Sequence, residues 1–229
     1  FFSSKNSLAF VKPARIFYKL KEILVTGFST FFIDIAMGIL TILFNRQIMK
    51  YFGTSALSIY GIIVNISTFV QCCAYSVGQA SQPIISVNYG AGSGQRIKQT
   101  LKYALYTVAF FSLLWTSLSW FVPNVFVRIF MTPTREILTM APAIINCYGL
   151  SFLLLPFNIF STYYFQALLK PKASFIVSVA RGLVVSGILI FILPLIKDSC
   201  LWLTMPITES IVALFATVSM IRYTKELPL

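Results

Sequence analysis

Residues 173–196 read ASFIVSVARGLVVSGILIFILPLI, a run of 24 residues that contains one charged side chain, Arg181. An α-helix needs about 20 predominantly apolar residues to cross a hydrocarbon core about 30 Å thick. The run is long enough to do so, and it lacks the short alternating segments that are typical of membrane barrels. The stretch therefore predicts a membrane-spanning helix.

Five further stretches have the same character, and polar loops at 46–56 and 89–100 separate some of them. They lie at about 23–44, 57–88, 101–123, 143–169 and 200–221. The chain is 58% hydrophobic and 10% charged, whereas soluble domains carry roughly 25% charged residues. We therefore predict an all-α integral membrane protein, a bundle of six transmembrane helices. No connection is long enough to hold a catalytic domain, and no enzyme activity is predicted.

The distribution of basic residues predicts the orientation. Lys and Arg number 18 against 6 Asp and Glu, a net charge of +12. Such a charge can favour nucleic-acid binding, but here the cations form short clusters between apolar spans. With six spans, twelve cations fall on the side of the termini and five on the other, the bias that marks cytoplasmic loops. We expect a multi-pass protein of the cell membrane with both termini cytoplasmic, the bilayer as partner and no nucleic acid.

Three charged residues interrupt the spans, and each is a candidate functional residue because a charge at the bilayer centre costs about 2.5–3.5 kcal/mol. Asp34 lies in the middle of the first span, where it either binds a proton or cation or only holds helices together. Arg181 and Glu209 lie in the fifth and sixth spans. They either serve transport or pair with one another, and Arg181 can also extend towards its cytoplasmic end.

Uncharged polar residues form a second group of candidates. The middle of the fourth span is unusually polar, with Asn158, Tyr163 and Gln166 in the stretch PFNIFSTYYFQ. This pattern predicts a wall that faces a cavity. Gln82 lies in the second span, where it either lines the cavity or bonds to another helix. The four cysteines lack the spacing of metal ligands and histidine is absent, so neither a metal site nor a catalytic site is predicted.

The stretch GQASQPIISVNYGAGSGQRIKQTLKYAL, residues 78–105, resembles a signature of the C-terminal lobe of MATE (multidrug and toxic compound extrusion) transporters. Similar likenesses follow along almost the whole chain. FFIDIAMGILTILFN resembles the first helix of that lobe, YFQALLKPKASFIVSVARG its fourth and fifth helices, and LWLTMPITES its sixth.

The resemblance implies one six-helix lobe of a two-lobed transporter with twelve helices. Residues 1–22 would be a cytoplasmic segment between the lobes, 23–221 the C-terminal lobe and 222–229 a cytoplasmic tail. The N-terminal lobe would be a missing partner, and with Phe1 in place of an initiating Met we expect a fragment. MATE proteins export cationic amphipathic small molecules by antiport against H⁺ or Na⁺. No cofactor is expected apart from this coupling ion.

The resemblance also implies a cation or proton site at two positions. Asp34 matches an acidic position on the lobe's first helix, whereas an Asp on its fourth helix is replaced by Asn158. An amide offers an oxygen to a cation but cannot carry a proton. Two other functions remain open: a lipid-linked oligosaccharide flippase of the same superfamily, which would need a more basic cavity, and a membrane protein remnant that transports nothing.

Overall fold

The computed structural model describes residues 16–227, and for residues 18, 19, 21–34 and 36 it describes the backbone without the side chain. The chain is helical almost throughout this range. Its α-helices are α1 (Ile16–Tyr51), α2 (Gly53–Gly90), α3 (Gly94–Phe121), α4 (Pro123–Phe130), α5 (Arg135–Gly149), α6 (Leu155–Ala167), α7 (Pro171–Val179), α8 (Val185–Ile196) and α9 (Thr204–Lys225).

Five segments of the described chain are long and apolar enough to cross a membrane. They are Gly53–Gly90, Gly94–Phe121, Arg135–Ala167, Pro171–Ile196 and Asp198–Lys225. Helix α1 precedes them and contains the first predicted span, so a bundle of six long helices fits the fold. The predicted all-α membrane class is confirmed. Helix α2 packs against α1, α3, α5 and α6, whereas α9 packs against α5 to α8.

The connections between helices are shorter than the sequence predicts. The expected loop at 46–56 is helical except at Phe52, and the expected loop at 89–100 is reduced to the turn 91–93. Gly53 and Gly92 have φ angles of +77° and +70°, which glycine adopts without the steric cost that a Cβ imposes. Polar residues thus continue the helices beyond the apolar spans, and two glycines make the reversals.

The fourth predicted span is interrupted, and its helix begins earlier than the apolar pattern indicates. Thr134 caps α5, because its Oγ1 accepts a hydrogen bond from the backbone N–H of Ile137 at 3.3 Å. A 3₁₀ turn, Leu150–Leu153, then separates α5 from α6. Pro156 lies in the first turn of α6. Proline has no N–H to continue the preceding hydrogen-bond ladder, so the break falls immediately before it.

The fifth predicted span contains a π-helical turn, Ala180–Val184, between α7 and α8. The wider turn changes which face of the segment its residues present, and such turns frequently occur at functional sites. Arg181 is its second residue. A 3₁₀ helix, Asp198–Leu203, leads from the end of α8 into α9.

The buried apolar side chains form two separate clusters. One surrounds the turns from α1 to α2 and from α8 to α9 and includes Ile48, Ile59 and Trp202. The other surrounds the turns from α2 to α3 and from α6 to α7 and includes Ile97 and Leu168. The bundle therefore has an apolar core towards each end and a layer between them.

Candidate functional site

The charged and amide side chains of the bundle interior lie in the layer between the two apolar clusters. Along α6, Asn158 stands between Leu155 of one cluster and Phe160 of the other. Along the last helix, Glu209 stands between Met205 and Val212 in the same way. The polar residues are thus at the middle of the bundle, where a charge in a membrane protein is most costly.

Three of the predicted residues meet in this layer. The Glu209 carboxylate accepts a hydrogen bond from Arg181 Nε at its Oε1 atom, over 2.6 Å. Its Oε2 atom accepts one from Asn158 Nδ2, also over 2.6 Å. The same amide nitrogen donates to the backbone carbonyl of Glu209 at 2.9 Å. We call these three residues the polar triad.

The polar triad is almost closed to solvent, and only Arg181 retains some exposure. The Glu209 side chain is fully buried and that of Arg181 is 13% exposed, while Asn158 is also fully buried. Unpaired, either charge would be very expensive to bury, and each is tolerated because the other lies in contact.

Local backbone features of α6 and of the π-helical turn position the polar triad. The break before Pro156 sets the start of α6, at Leu155, three residues before Asn158. The π-helical turn carries Arg181. Next to it, a Cβ on Gly182 would lie 3.2 Å from Met37 Sδ of α1, so this turn and α1 are in close contact. Three segments that are distant in sequence thereby converge on one carboxylate.

One acceptor of the polar triad has no partner. Asn158 Oδ1 is buried and makes no hydrogen bond within the described part of the protein. Several hydroxyl groups share this property, namely those of Ser67, Ser112, Thr116, Ser186, Thr204 and Thr208. Buried polar atoms are normally satisfied, so an unpaired carbonyl oxygen beside a carboxylate is a potential ligand for a cation or water.

A second polar contact joins α2, α6 and α7. Gln82 Nε2 lies 3.4 Å from Gln166 Oε1, and Gln166 Nε2 donates to Ser174 Oγ at 3.1 Å. Tyr163 is half-buried on α6 and forms an edge-on contact with Tyr75, with ring centroids 6.3 Å apart. These residues form a polar and aromatic wall on the α2 side of α6.

Gly78 lets Tyr163 pack directly on α2. A Cβ at position 78 would lie 2.5 Å from Tyr163 Cδ2. We expect Gly78→Ala to destabilise the protein by about 1–3 kcal/mol, because a well-packed site must move to admit the methyl group. Gly61→Ala on the same helix is the control, since a Cβ there meets nothing within 4 Å. Thermal unfolding of both variants measures the difference, and equal melting temperatures would contradict the expected clash.

The position of Asp34 is defined only by its backbone. It lies in α1, three residues before Met37, the residue that contacts the π-helical turn. Three residues correspond to about 4.5 Å along a helix, so the backbone of Asp34 lies within one helical turn of the residue that contacts the π-helical turn. Its side chain lies outside the described residues, and its predicted role as a cation or proton site remains a prediction.

The structure therefore groups the predicted site residues into two sets. Asn158, Arg181 and Glu209 form the polar triad, whereas Gln82, Gln166 and Tyr163 belong to the wall on the α2 side. Sequence reasoning missed Ser174, Tyr75 and the contact between Asn158 and Glu209. No local pattern marks these partners, because each lies on a different helix from the residue that it contacts.

The exposed surface of α2 carries many polar residues for a helix in a membrane. Asn65, Thr68, Tyr75, Ser76 and Gln79 are all exposed, and their spacing places them on one face. We call this face the α2 stripe. Ser76 also lines a cavity of about 470 Å³ with residues of α3, including Thr100 and Thr107.

Comparison with known proteins identifies the family to which the chain belongs. The MatE family model matches residues 30–192. The multidrug export protein MepA of Staphylococcus haemolyticus (strain JCSC1435) is 24% identical over 194 residues, or 82% of this chain and 42% of that protein.

Solved structures show the same fold. An outward-facing multidrug resistance MATE family transporter of the MOP superfamily matches with a TM-score of 0.81 at 17% identity, covering 96% of this chain and 49% of that one. An inward-facing structure with the same description also gives 0.81 at 17% identity, with coverage of 94% and 50%. A MOP superfamily transporter from Pyrococcus furiosus Vc1 (DSM3638) gives 0.80 at 16% identity, with coverage of 94% and 48%.

The chain spans about half the length of the relatives that it matches. The family model, in contrast, covers well over half of this chain. The chain therefore belongs to the MatE family, a family of transporters and not of enzymes.

Proposed function

We propose that this chain forms one six-helix half of a transporter that exports amphipathic organic cations by antiport against H⁺ or Na⁺. The observation that carries the proposal is the polar triad, in which a fully buried Glu209 pairs with an almost buried Arg181 at the middle of a membrane bundle. Intramembrane ionisable residues usually mark the pathway of a substrate or ion because their insertion is so unfavourable. The relative MepA is itself described as a multidrug export protein.

Two further observations support transport by alternating access. The fold of this half matches an outward-facing and an inward-facing structure equally well, each with a TM-score of 0.81. This is expected if the half moves as a rigid body against a second half. In the α2 stripe the side chains of Asn65, Thr68 and Ser76 donate to carbonyls of their own helix. Water in a cavity or the N-terminal lobe would suit this polar face better than lipid.

We assign the coupling ion to Asp34, with Asn158 as a neighbouring oxygen ligand. A carboxylate in an apolar span can exchange a proton or a metal cation, and each ligand shifts the conformational equilibrium only through its differential affinity for the two states. Aromatic side chains such as Tyr163 attract the charged group of an organic cation. The excess of Lys and Arg on the side of the termini supports a cytoplasmic location for both termini of the chain.

A flippase for lipid-linked oligosaccharides is less well supported. It would need free basic groups for a pyrophosphate headgroup, and Arg181 is the residue on which that function depends. Its guanidinium is instead paired with the Glu209 carboxylate over 2.6 Å. A neutralised arginine gives little attraction for an anionic headgroup.

The proposal is tested by reconstituting the intact protein into vesicles loaded with a fluorescent organic cation. We expect efflux of the dye when an inward gradient of H⁺ or Na⁺ is imposed, and reversal of the dye flux when the gradient is reversed. Vesicles in which choline replaces Na⁺, at matched pH and ionic strength, are the control. Dye flux that is the same with and without either gradient would contradict antiport.

A further inference from the structure

The Glu209 carboxylate already has a cation, and that cation belongs to the protein. Its two oxygens are both engaged, one by Arg181 Nε and the other by Asn158 Nδ2. Glu209 is fully buried, whereas Arg181 retains 13% exposure.

The remaining polar atoms of the polar triad are oxygens suited to a small hard cation. Asn158 Oδ1 is buried without a partner, on the same amide whose nitrogen contacts Glu209. The carboxylate and this carbonyl together offer an anionic and a neutral oxygen in a dry environment. Hard cations such as those of groups 1 and 2 bind carboxylate and amide oxygens in proteins.

The backbone at Arg181 is the irregular part of this region. Arg181 is held on a π-helical turn between two regular helices. Turns of this kind frequently occur at functional sites.

We propose that Arg181 determines the ion specificity of this half of the transporter. Its guanidinium acts as a tethered cation that neutralises the Glu209 carboxylate and excludes Na⁺ from that carboxylate and from the unpartnered Asn158 oxygen. Without the arginine, the same oxygens bind Na⁺. The proposal depends on the geometry of the polar triad and narrows the proposed function, because it leaves H⁺ as the coupling ion when Arg181 is present.

The test compares thermal unfolding of the intact protein in detergent, in NaCl and in choline chloride of equal ionic strength. We expect no Na⁺ effect for the wild type. For Arg181→Gln we expect the melting temperature to rise by about 2–4 °C when Na⁺ is present at about ten times its Kd. Arg181→Lys keeps a tethered cation and should behave as the wild type. Adding Glu209→Gln to Arg181→Gln should remove the Na⁺ effect.

Arg222→Gln is the matched control, because Arg222 is an exposed arginine on the same helix as Glu209. It should show no Na⁺ effect. If Arg181→Gln shows no Na⁺ effect, for instance because Glu209 takes up a proton instead, the proposal is overturned. A Na⁺ effect of equal size in the wild type and in Arg181→Gln would overturn it as well.

Poor folding of Arg181→Gln would also be informative. The proposal requires a higher yield of folded Arg181→Gln protein when membranes are extracted in NaCl than in choline chloride. Equal yields in the two salts would count against it. Since these measurements detect binding and not dye flux, a failure here and a failure of the proposed antiport can be told apart.

Discussion

Arg181→Ala is expected to lower the free energy of unfolding by about 3–5 kcal/mol, the usual cost of removing one partner of a buried ion pair. Glu209 would remain fully buried with a charge that no longer has a counter-ion within 2.6 Å. Asn158 would still donate to the carboxylate, but a neutral amide cannot replace a full positive charge. Unfolding of the purified protein by heat or by denaturing detergent, in a buffer of choline chloride, measures the loss.

A double-mutant cycle separates the loss of the pair from the isolation of one charge. The double variant Arg181→Met with Glu209→Leu should be much more stable than Arg181→Met alone, because apolar residues of similar volume often replace a buried pair without loss. Asn158 Nδ2 would still donate its hydrogen bond to the backbone carbonyl of residue 209, which is 2.9 Å away in the wild type. A double variant as unstable as the single one would contradict this account.

An exposed arginine gives a reference against which the loss of stability at Arg181 can be compared. Arg222 pairs with Glu226 one turn away at 3.2 Å, and its side chain is 75% exposed. Exposed pairs of this type contribute about 0.3–0.5 kcal/mol. Arg222→Ala should therefore change stability far less than Arg181→Ala. Equal effects at the two positions would mean that the polar triad contributes no more than a surface contact.

Asp34→Asn is expected to abolish gradient-driven efflux of organic cations by the intact protein. An asparagine keeps the size of the side chain and one oxygen, but it holds neither a proton nor a full negative charge. Nothing at position 34 would then exchange the coupling ion. In the reconstituted system, dye flux should fall to the level of vesicles without protein, whichever gradient is imposed.

Asp198→Asn is the control for this substitution. Asp198 is exposed, and it begins the short 3₁₀ helix that follows α8. Its replacement should leave dye efflux unchanged. If Asp34→Asn also leaves gradient-driven efflux unchanged, Asp34 has no part in coupling, and Glu209 becomes the remaining described carboxylate at the middle of the bundle.

The fold class could be predicted because each transmembrane helix is visible as a continuous run of apolar residues in the sequence. In residues 173–196, one charge in 24 residues is enough to predict a span, whatever the rest of the protein does. The same reasoning missed where that span changes its helical geometry. The π-helical turn at Ala180–Val184 has no residue pattern that distinguishes it from regular helix, whereas the break before Pro156 follows from the missing N–H of proline.

The candidate site could be predicted in its residue types and not in its contacts. Arg181 and Glu209 stand out in sequence because a charge in an apolar span is costly, and their pairing was one of two open alternatives. The replacement of an expected Asp by Asn158 indicated a site with fewer carboxylates. The structure instead brings a second helix's carboxylate to that position, with Glu209 Oε2 2.6 Å from the amide.

By itself the sequence determined the environment of this protein, since the transfer of about 20 consecutive apolar residues into lipid depends on composition alone. It also determined which residues bear an energetic cost in that environment. How that cost is offset depends on contacts between helices in the folded protein. Asn158, Arg181 and Glu209 lie on three segments, and hydrogen bonds of 2.6 Å arise from the way those segments pack, which local sequence does not encode.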